Sequence, residues 1–298
     1  MHDVALTGLD GTNPLGFLAA LGVLEGTTDG SFRARLKWWY EGGWRPVLTS
    51  QYEDVEALIE RLDTERRTCL SDPALALTYD GKKDLKPPPC VFRQYLIRLA
   101  EEATPANRRS VDWASAFATD IAVDNKGNTK PTALHFTAGQ QQFLQMVVEL
   151  ASRVTKDDVR EALEGPWKYD RPLPVMGWDA TSSRDYALRA SDPSTDKKLG
   201  VPGAEWLAVR GLTFFPTVPR GSRVLTTGCA GGWKNGRFHW PLWTVSLNKP
   251  VISSLVRQDL DGMTKHERGA RGICVVLSSG IKRSEQGGYG SFEPASVI

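Results

Sequence analysis

The sequence predicts an α+β protein with mixed or antiparallel sheets and a mainly helical central region. Apolar residues recur at helical spacing through the middle of the 298-residue chain, segments of alternating polarity lie nearer the two ends, and the regular strand–helix alternation of a doubly wound sheet is missing. The length favours two regions, 1–165 with a helical centre and 166–298, which is basic and rich in strands, or one elaborated domain.

The first predicted helix begins at Pro14. Asn13 can cap the free backbone N–H groups, and proline fits the first helical position because no N–H is needed there. The residues that follow, up to Leu24, are apolar around the whole circumference, which is typical of a helix inside a core. The apolar run of about a dozen residues is shorter than the roughly 20 that a membrane span requires. Acidic residues precede it, so we expect a cytoplasmic protein without a secretory signal.

Three further elements are predicted in the first part of the chain. Residues 32–38 alternate between apolar and basic side chains, as in a half-buried strand, and residues 4–9 are expected to pair with that strand. An amphipathic helix is predicted over 50–67, and loops over 82–89 and 124–131.

The central helices are predicted from their apolar spacing, over 92–102, 111–118, 137–154 and 156–163. Thr137 and Gln140 have the spacing of a capping box at the start of the third of them.

The amino-acid composition changes in the later part of the chain. Residues 167–203 read as a long structured loop, and a brief helix follows over 204–211. Strands of a second sheet are predicted over 223–229, 237–245 and 272–278, with Asn235 and Gly236 supplying a hairpin turn. Most of the ten tryptophans are expected to be packing residues.

Several chemistries find no support in the sequence. The four cysteines form no C-x-x-C pair and the four histidines stand alone, which argues against a zinc site and favours buried free thiols. No glycine-rich loop ends in Lys followed by Ser or Thr, so a P-loop nucleotide triphosphatase is excluded. We expect no cofactor.

Charge is distributed unevenly along the chain. Residues 220–298 contain eleven Lys or Arg against five Asp or Glu, whereas the chain as a whole carries only +2. Cations neutralise phosphates and exposed rings stack on bases, so the interleaving of the two indicates a nucleic-acid surface. The alternative is a solvated basic face over core aromatics. The phosphate candidates are Arg184, Arg189, Arg220, Arg223, Lys234, Arg237, Lys282 and Arg283, and the stacking candidates are Trp233 and Tyr289.

Two other classes of function remain open. A metal-dependent nuclease needs carboxylates that converge on Mg²⁺, and the candidates are Asp179, Asp185 and Asp192. A pure interaction scaffold needs only a surface patch for a partner protein. The sequence contains no further catalytic motif.

Three strings resemble a known family. The opening GLDGTNPLGFLAALG at 8–22 resembles the N-terminal signature of proteins encoded beside type I-G (formerly I-U) CRISPR effector genes, including the extension family that accompanies the helicase-nuclease. GWDATSSRDYALRASDPS at 177–194 and PGAEWLAVRGLTFFP at 202–216 are similar to patterns in subunits of the same systems, and a Trp-rich segment follows at 238–243.

The resemblance implies a role in RNA-guided DNA interference. In such complexes guide pairing reads the sequence, while protein subunits hold the backbone, recognise a short flanking motif or dock a partner. The implied partners are effector-complex subunits or the helicase-nuclease, and guide RNA or target DNA. No membrane partner and no catalytic residue is implied.

Overall fold

The computed structural model describes residues 1–28, 33–105, 107–182, 199–284 and 289–298. Helices and antiparallel strands are both abundant there, which confirms the predicted α+β class. The helices are α1 Pro14–Thr27, α2 Val55–Cys69, α3 Pro89–Glu101, α4 Arg108–Phe117, α5 Phe143–Arg153, α6 Lys156–Glu164, α7 Pro202–Gly211, α8 Lys249–Leu255 and α9 Lys265–Ala270. The strands are β1 His2–Ala5, β2 Arg35–Tyr40, β3 Trp44–Ser50, β4 Ala118–Val123, β5 Thr129–Pro131, β6 Thr217–Arg220, β7 Arg223–Thr226, β8 Cys229–Ala230, β9 Gly236–Trp243, β10 Leu247–Asn248, β11 Ile273–Arg283, β12 Gly290–Phe292 and β13 Ser296–Val297.

The first sheet has the strand order β1-β3-β2-β10, with every pair antiparallel. The expectation that residues 4–9 pair directly with the 32–38 strand was wrong, because β3 lies between the two. The sequence analysis missed β3 and began the following helix too early, at residue 50 rather than at Val55. Strand β10 joins from the later part of the chain, so the sheet contains strands from both sides of the predicted boundary at residue 165, which stays a prediction.

The second sheet has the order β12-β11-β9-β8, and β13 also pairs with β11. Its long strands are those predicted near 237–245 and 272–278, and the turn at Asn235 and Gly236 joins β8 to β9. The predicted strand 223–229 is corrected. Its first part, β7, pairs with β6 in a separate two-stranded hairpin, and its last residue begins β8.

Helix α1 is buried on every side, as predicted, and begins at Pro14 with the Asn13 side chain accepting from the backbone N–H of Leu15 at 3.0 Å. It packs along α7, and the two backbones come very close. A Cβ added to Gly22 would lie 1.7 Å from the Leu207 carbonyl oxygen, so only glycine fits this contact.

Phe17 of α1 lies at the centre of the aromatic core between the two sheets. Its ring centroid is 5.8 Å from that of Trp38 and 5.9 Å from that of Trp240. The buried indole N–H groups of Trp240 and Trp243 donate to the carbonyl oxygens of Gly11 and Leu36. Six tryptophans are fully buried, in agreement with the packing role expected for most of them: Trp38, Trp113, Trp178, Trp206, Trp240 and Trp243.

The helical region is joined to the core by a buried ion pair. The Arg210 guanidinium of α7 binds the Glu65 carboxylate of α2 and lies 4.7 Å from the centre of the Trp113 ring. Arg109 of α4 donates to the same carboxylate at 2.8 Å. Removing one partner would leave a buried charge uncompensated, so this cluster fixes α2, α4 and α7 relative to one another.

The predicted helix 137–154 is shorter in the structure. Helix α5 starts at Phe143, and Thr137 lies outside it, with its hydroxyl 2.8 Å from the His135 ring. The capping box predicted from Thr137 and Gln140 was therefore wrong. The loop predicted over 124–131 in fact ends in β5, which forms a hairpin with β4.

The free thiols are not all buried as predicted, because Cys90 and Cys274 are exposed. No helix among the described residues has the length and apolar character needed to cross a membrane.

Gly22→Ala is expected to destabilise the protein by about 3 kcal/mol or more, because the methyl group would overlap a backbone oxygen of α7. Gly269→Ala in α9 is the matched control, since nothing lies within 4 Å of its added Cβ, and it should be neutral or slightly stabilising. Urea unfolding measures both free energies. Equal effects of the two substitutions would contradict the close α1–α7 packing.

Candidate nucleic-acid interface

A cavity of about 330 Å³ opens between three loop segments, 79–86, 126–128 and 135–142. The last of these leads into α5. We call this cavity the basic cleft, and most of the residues that line it are polar. The lining residues are Tyr79, Lys82, Asp84, Lys86, Lys126, Asn128, His135, Thr137, Ala138, Gly139, Gln140, Gln141 and Gln142.

Hydrogen bonds hold the walls of the basic cleft together. The backbone N–H of Phe143, at the start of α5, donates to Asp84 Oδ1 at 3.0 Å. The N–H of Thr129 in β5 donates to the Pro87 carbonyl at 2.9 Å. These contacts bring segments that are far apart in sequence into one fixed arrangement.

Three lysines, Lys82, Lys86 and Lys126, line the basic cleft, and all three are exposed. None of them forms an ion pair within the described ranges. By contrast, most arginines of the helical region are paired with carboxylates: Arg66 and Arg67 with Asp63, Arg109 and Arg210 with Glu65, and Arg160 with Glu56. Lys82, Lys86 and Lys126 therefore leave positive charge at the cleft without an ion-pair partner among the described residues.

Buried His135 and half-buried Asp84 lie side by side in the lining of the basic cleft. His135 is 4% exposed, and its Nε2 lies 3.6 Å from Asp84 Oδ1. Burial lowers the pKa of His135, although Asp84 opposes this shift. Burial acts to raise the pKa of Asp84, but hydrogen bonds from His135 and from backbone N–H groups outweigh it and lower that pKa. At neutral pH the histidine is neutral and the aspartate charged, so three lysines face one carboxylate.

Arg283 of β11 connects the second sheet to the segment beside the basic cleft. Its guanidinium donates to the carbonyl oxygens of His135 at 3.0 Å and Ala133 at 2.8 Å. Burial lowers the pKa of Arg283 to about 10, so it stays protonated at neutral pH. Two N–H groups of the guanidinium donate to backbone carbonyls, so Arg283 supports the 133–135 segment. The sequence had predicted a freely exposed phosphate contact at this position.

Two aromatic side chains lie next to this arginine and the cleft. The ring centroid of Trp233 is 4.1 Å from the Arg283 guanidinium carbon, and the tryptophan is still 64% exposed. The hydroxyl of Tyr289 lies against Gly139, a lining residue of the basic cleft, and Tyr289 is 37% exposed. Both predicted stacking residues therefore offer accessible ring surface.

The β6–β7 hairpin extends the positive surface. The Thr226 hydroxyl accepts from the N–H of Ala133 at 2.8 Å, and Lys130 Nζ donates to the carbonyl of Ser222 at 3.4 Å. The turn exposes two cations with no ion pair in the part of the chain that the structure describes, Arg220 and Arg223.

The remaining predicted phosphate contacts lie in several places. Lys234 is exposed in the β8–β9 turn, and Lys282 is exposed on β11. Arg237 is exposed on β9, where its Nε donates to the Ser278 hydroxyl at 3.0 Å. Arg184 and Arg189 lie outside the described residues.

The sequence analysis missed the lysines of the basic cleft and Lys130. It assigned 82–89 and 124–131 to loops, where a lysine usually faces solvent with no ligand. The available signal was the presence of Lys82, Lys83 and Lys86 within five positions. Their convergence with Lys126 depends on tertiary contacts alone.

Asp179, the described member of the proposed nuclease triad, is 2% exposed. Its oxygens accept from Asn13 Nδ2 at 2.8 Å, from the Tyr169 hydroxyl at 2.9 Å, and from both the N–H and the hydroxyl of Thr181. Asp185 and Asp192 lie outside the described residues. Within those residues no three His, Cys, Asp or Glu side chains are grouped to hold a metal ion. Asp179 thus has a structural role, joining the N-terminal signature to the 177–182 segment.

Similarity to known proteins adds no assignment for the chain. No protein-family model and no curated protein matches it. The inference of function therefore depends on the basic cleft and on the resemblance of the sequence strings.

Proposed function

We propose that the protein is a cytoplasmic, non-catalytic component of a type I-G CRISPR system that binds the sugar–phosphate backbone of guide RNA or target DNA through the basic cleft. In this role it assists RNA-guided interference beside the effector complex or its helicase-nuclease. The observation that supports the proposal most is the convergence of Lys82, Lys86 and Lys126 on one cavity without carboxylate partners among the described residues.

The charge of the basic cleft favours binding of phosphates. A surface lysine gains little from a single exposed carboxylate, whereas a lysine that neutralises a phosphate releases condensed counterions. The three lysines of the basic cleft, together with Arg220 and Arg223 on the neighbouring hairpin, are available for such contacts. The local excess of cations also raises the rate of encounter with a polyanion.

The aromatic residues support the same function. Trp233 presents one open ring face because its other face is against Arg283. An exposed indole held in place by a guanidinium can stack on an unpaired base without selecting its sequence. The lysines can contact the phosphates of a nucleic acid and Trp233 can stack on its bases. This combination favours a single-stranded ligand, whose bases are unpaired.

The resemblance supplies the biological setting. Two of the strings that carry it meet in the structure, where Asn13 of the opening signature donates to Asp179 of the 177–194 string. The opening signature is therefore in direct contact with the described part of the second string, residues 177–182. We propose on this basis that the cleft acts within the CRISPR system whose proteins these strings resemble.

The double substitution Lys82→Gln and Lys86→Gln should weaken binding of single-stranded RNA or DNA. It should also reduce the slope of log affinity against log salt by about 1.4, because two phosphate contacts to a single strand are lost. Fluorescence anisotropy over a potassium chloride series measures both quantities. The control is Lys168→Gln with Lys265→Gln, which removes the same charge from exposed lysines outside the cleft.

An equal loss for the two double variants would mean that only net charge matters and would contradict a cleft site. Absence of binding by the wild-type protein at low salt would leave only the docking role.

Trp233→Ala should weaken single-strand binding by about 1–3 kcal/mol through loss of base stacking. Trp39→Ala is the matched control, because Trp39 is 58% exposed on β2 of the first sheet. Anisotropy at fixed salt compares the two variants. Comparable weakening by both, or none by either, argues against stacking at Trp233.

The protein, purified from a host that carries the neighbouring CRISPR operon, should retain effector subunits or the helicase-nuclease. Association that is lost on nuclease treatment indicates a nucleic-acid bridge, and association that survives indicates direct docking. Mass spectrometry identifies the retained proteins. Recovery of none of these proteins in either condition contradicts the CRISPR assignment.

A further inference from the structure

The β6–β7 hairpin has one packed face and one open face. On the packed face the Thr217 hydroxyl donates to the Ala118 carbonyl of β4 at 3.0 Å, and Thr226 is 3% exposed. Successive side chains of a strand point to opposite faces, so the residues that alternate with the packed ones face solvent. We call this open side the hairpin face, and its residues are Val218, Arg220, Arg223 and Leu225.

Aliphatic side chains form one half of the hairpin face. Val218 and Leu225 are directly opposite each other in the antiparallel register, and they are 56% and 42% exposed. Strand β4, which packs against the hairpin, exposes two more aliphatic residues, Ile121 and Val123. Apolar side chains that are exposed together and bordered by polar residues mark interaction sites.

Two arginines form the other half of the hairpin face. Arg220 and Arg223 are directly opposite each other, on either side of the turn, and both are exposed. Like charges in this position destabilise a hairpin. Neither guanidinium has an ion pair within the described ranges, so no carboxylate there offsets the repulsion. The carboxylates of a bound partner would offset it, because they form charge-assisted hydrogen bonds with guanidinium groups.

Three other occupants fit the hairpin face less well. A nucleic acid would meet the arginines, but the aliphatic pair offers no aromatic ring on which a base can stack. A second copy of the chain in a two-fold interface would bring four arginines together. A membrane surface favours aromatic anchors, and the hairpin face has none.

We propose that the hairpin face docks an acidic segment of a partner protein, in which aliphatic side chains lie beside Asp or Glu. The aliphatic groups cover Val218 and Leu225, and the carboxylates pair with Arg220 and Arg223. Protein interfaces combine an apolar centre with enriched arginine in the same way. The proposal goes beyond strand binding, since the lysines of the basic cleft lie on other segments. It rests on the function proposed above only for the host in which the partner is sought.

Photo-crosslinking in the host that carries the neighbouring operon identifies the partner. The crosslinker p-benzoylphenylalanine replaces Val218 in the full-length chain, and in the control it replaces Val245, which lies outside the hairpin and is also 56% exposed. Mass spectrometry should find one protein segment crosslinked at position 218, with aliphatic residues beside Asp or Glu. Position 245 should not crosslink to that segment.

A synthetic peptide with the crosslinked sequence then measures affinity by fluorescence anisotropy. The double substitution Val218→Thr and Leu225→Thr should weaken peptide binding at least about tenfold, because the apolar contact is lost. The control, Val245→Thr with Val297→Thr, replaces two exposed aliphatic residues outside the hairpin and should bind the peptide as the wild type does. Urea unfolding confirms that both double variants are folded.

The charge contact is tested with the double substitution Arg220→Gln and Arg223→Gln. This variant should bind the peptide more weakly and with a smaller dependence on salt, because two charge contacts are lost. A peptide in which Asn and Gln replace Asp and Glu should lose affinity for the wild-type protein in the same way.

Binding of single-stranded RNA or DNA separates docking from the basic cleft. The Val218→Thr, Leu225→Thr variant should bind the strand as the wild type does. The Lys82→Gln, Lys86→Gln variant should bind the peptide as the wild type does.

Several results would overturn the proposal. These are no crosslink from position 218, a crosslink to nucleic acid or to a second copy of the chain, or equal peptide affinity of the Val218→Thr, Leu225→Thr variant and its control. Sedimentation of the full-length protein with phosphatidylglycerol vesicles that is lost in the same variant would overturn it in favour of a membrane. Any of these results with intact salt-dependent strand binding would leave the function of the basic cleft standing. A crosslink to an acidic segment of a protein outside the CRISPR system would support the docking and contradict the CRISPR setting.

Discussion

The close packing of α1 against α7 is the constraint on which the rest of the structure depends. Gly22 meets the Leu207 carbonyl with no room for a side chain, so the two helices come together without intervening packing atoms. Phe17 then projects from α1 into the aromatic core between the sheets. Indole N–H groups satisfy backbone carbonyls inside this core, which allows large rings to be buried without orphaned donors. Both sheets, and hence the hairpins that carry cations, are positioned by this arrangement.

Cationic side chains have different surroundings in the helical region and at the basic cleft. In the helical region arginines are buried or half-buried against carboxylates, and there they order helices relative to one another. At the basic cleft the lysines keep their side chains in solvent and have no acidic partners among the described residues. The small overall charge of +2 therefore conceals a local excess of cations at the cleft. The proposed binding of a polyanion rests on this local excess.

Arg283 illustrates how one residue links these two parts. From the sequence it was a phosphate contact, one of two adjacent cations on a predicted basic surface. In the structure it donates to two carbonyls beside the cleft and holds Trp233 in place. Its partial burial follows from the pleat of β11, which directs alternate side chains toward opposite faces. A charge assigned to the surface from sequence can thus become a support for a neighbouring ring.

The sequence alone determined the features that are local. The start of α1 follows from Asn13 and Pro14, because a cap and a fixed φ act on adjacent residues. The turn before β9 likewise follows from Asn235 and Gly236. The tertiary structure decided the features that join distant segments: the insertion of β3 between β1 and β2, the late start of α5, and the meeting of Lys82 and Lys126. Strand pairing and cavity formation depend on contacts between residues far apart in the chain, and no local spacing records them.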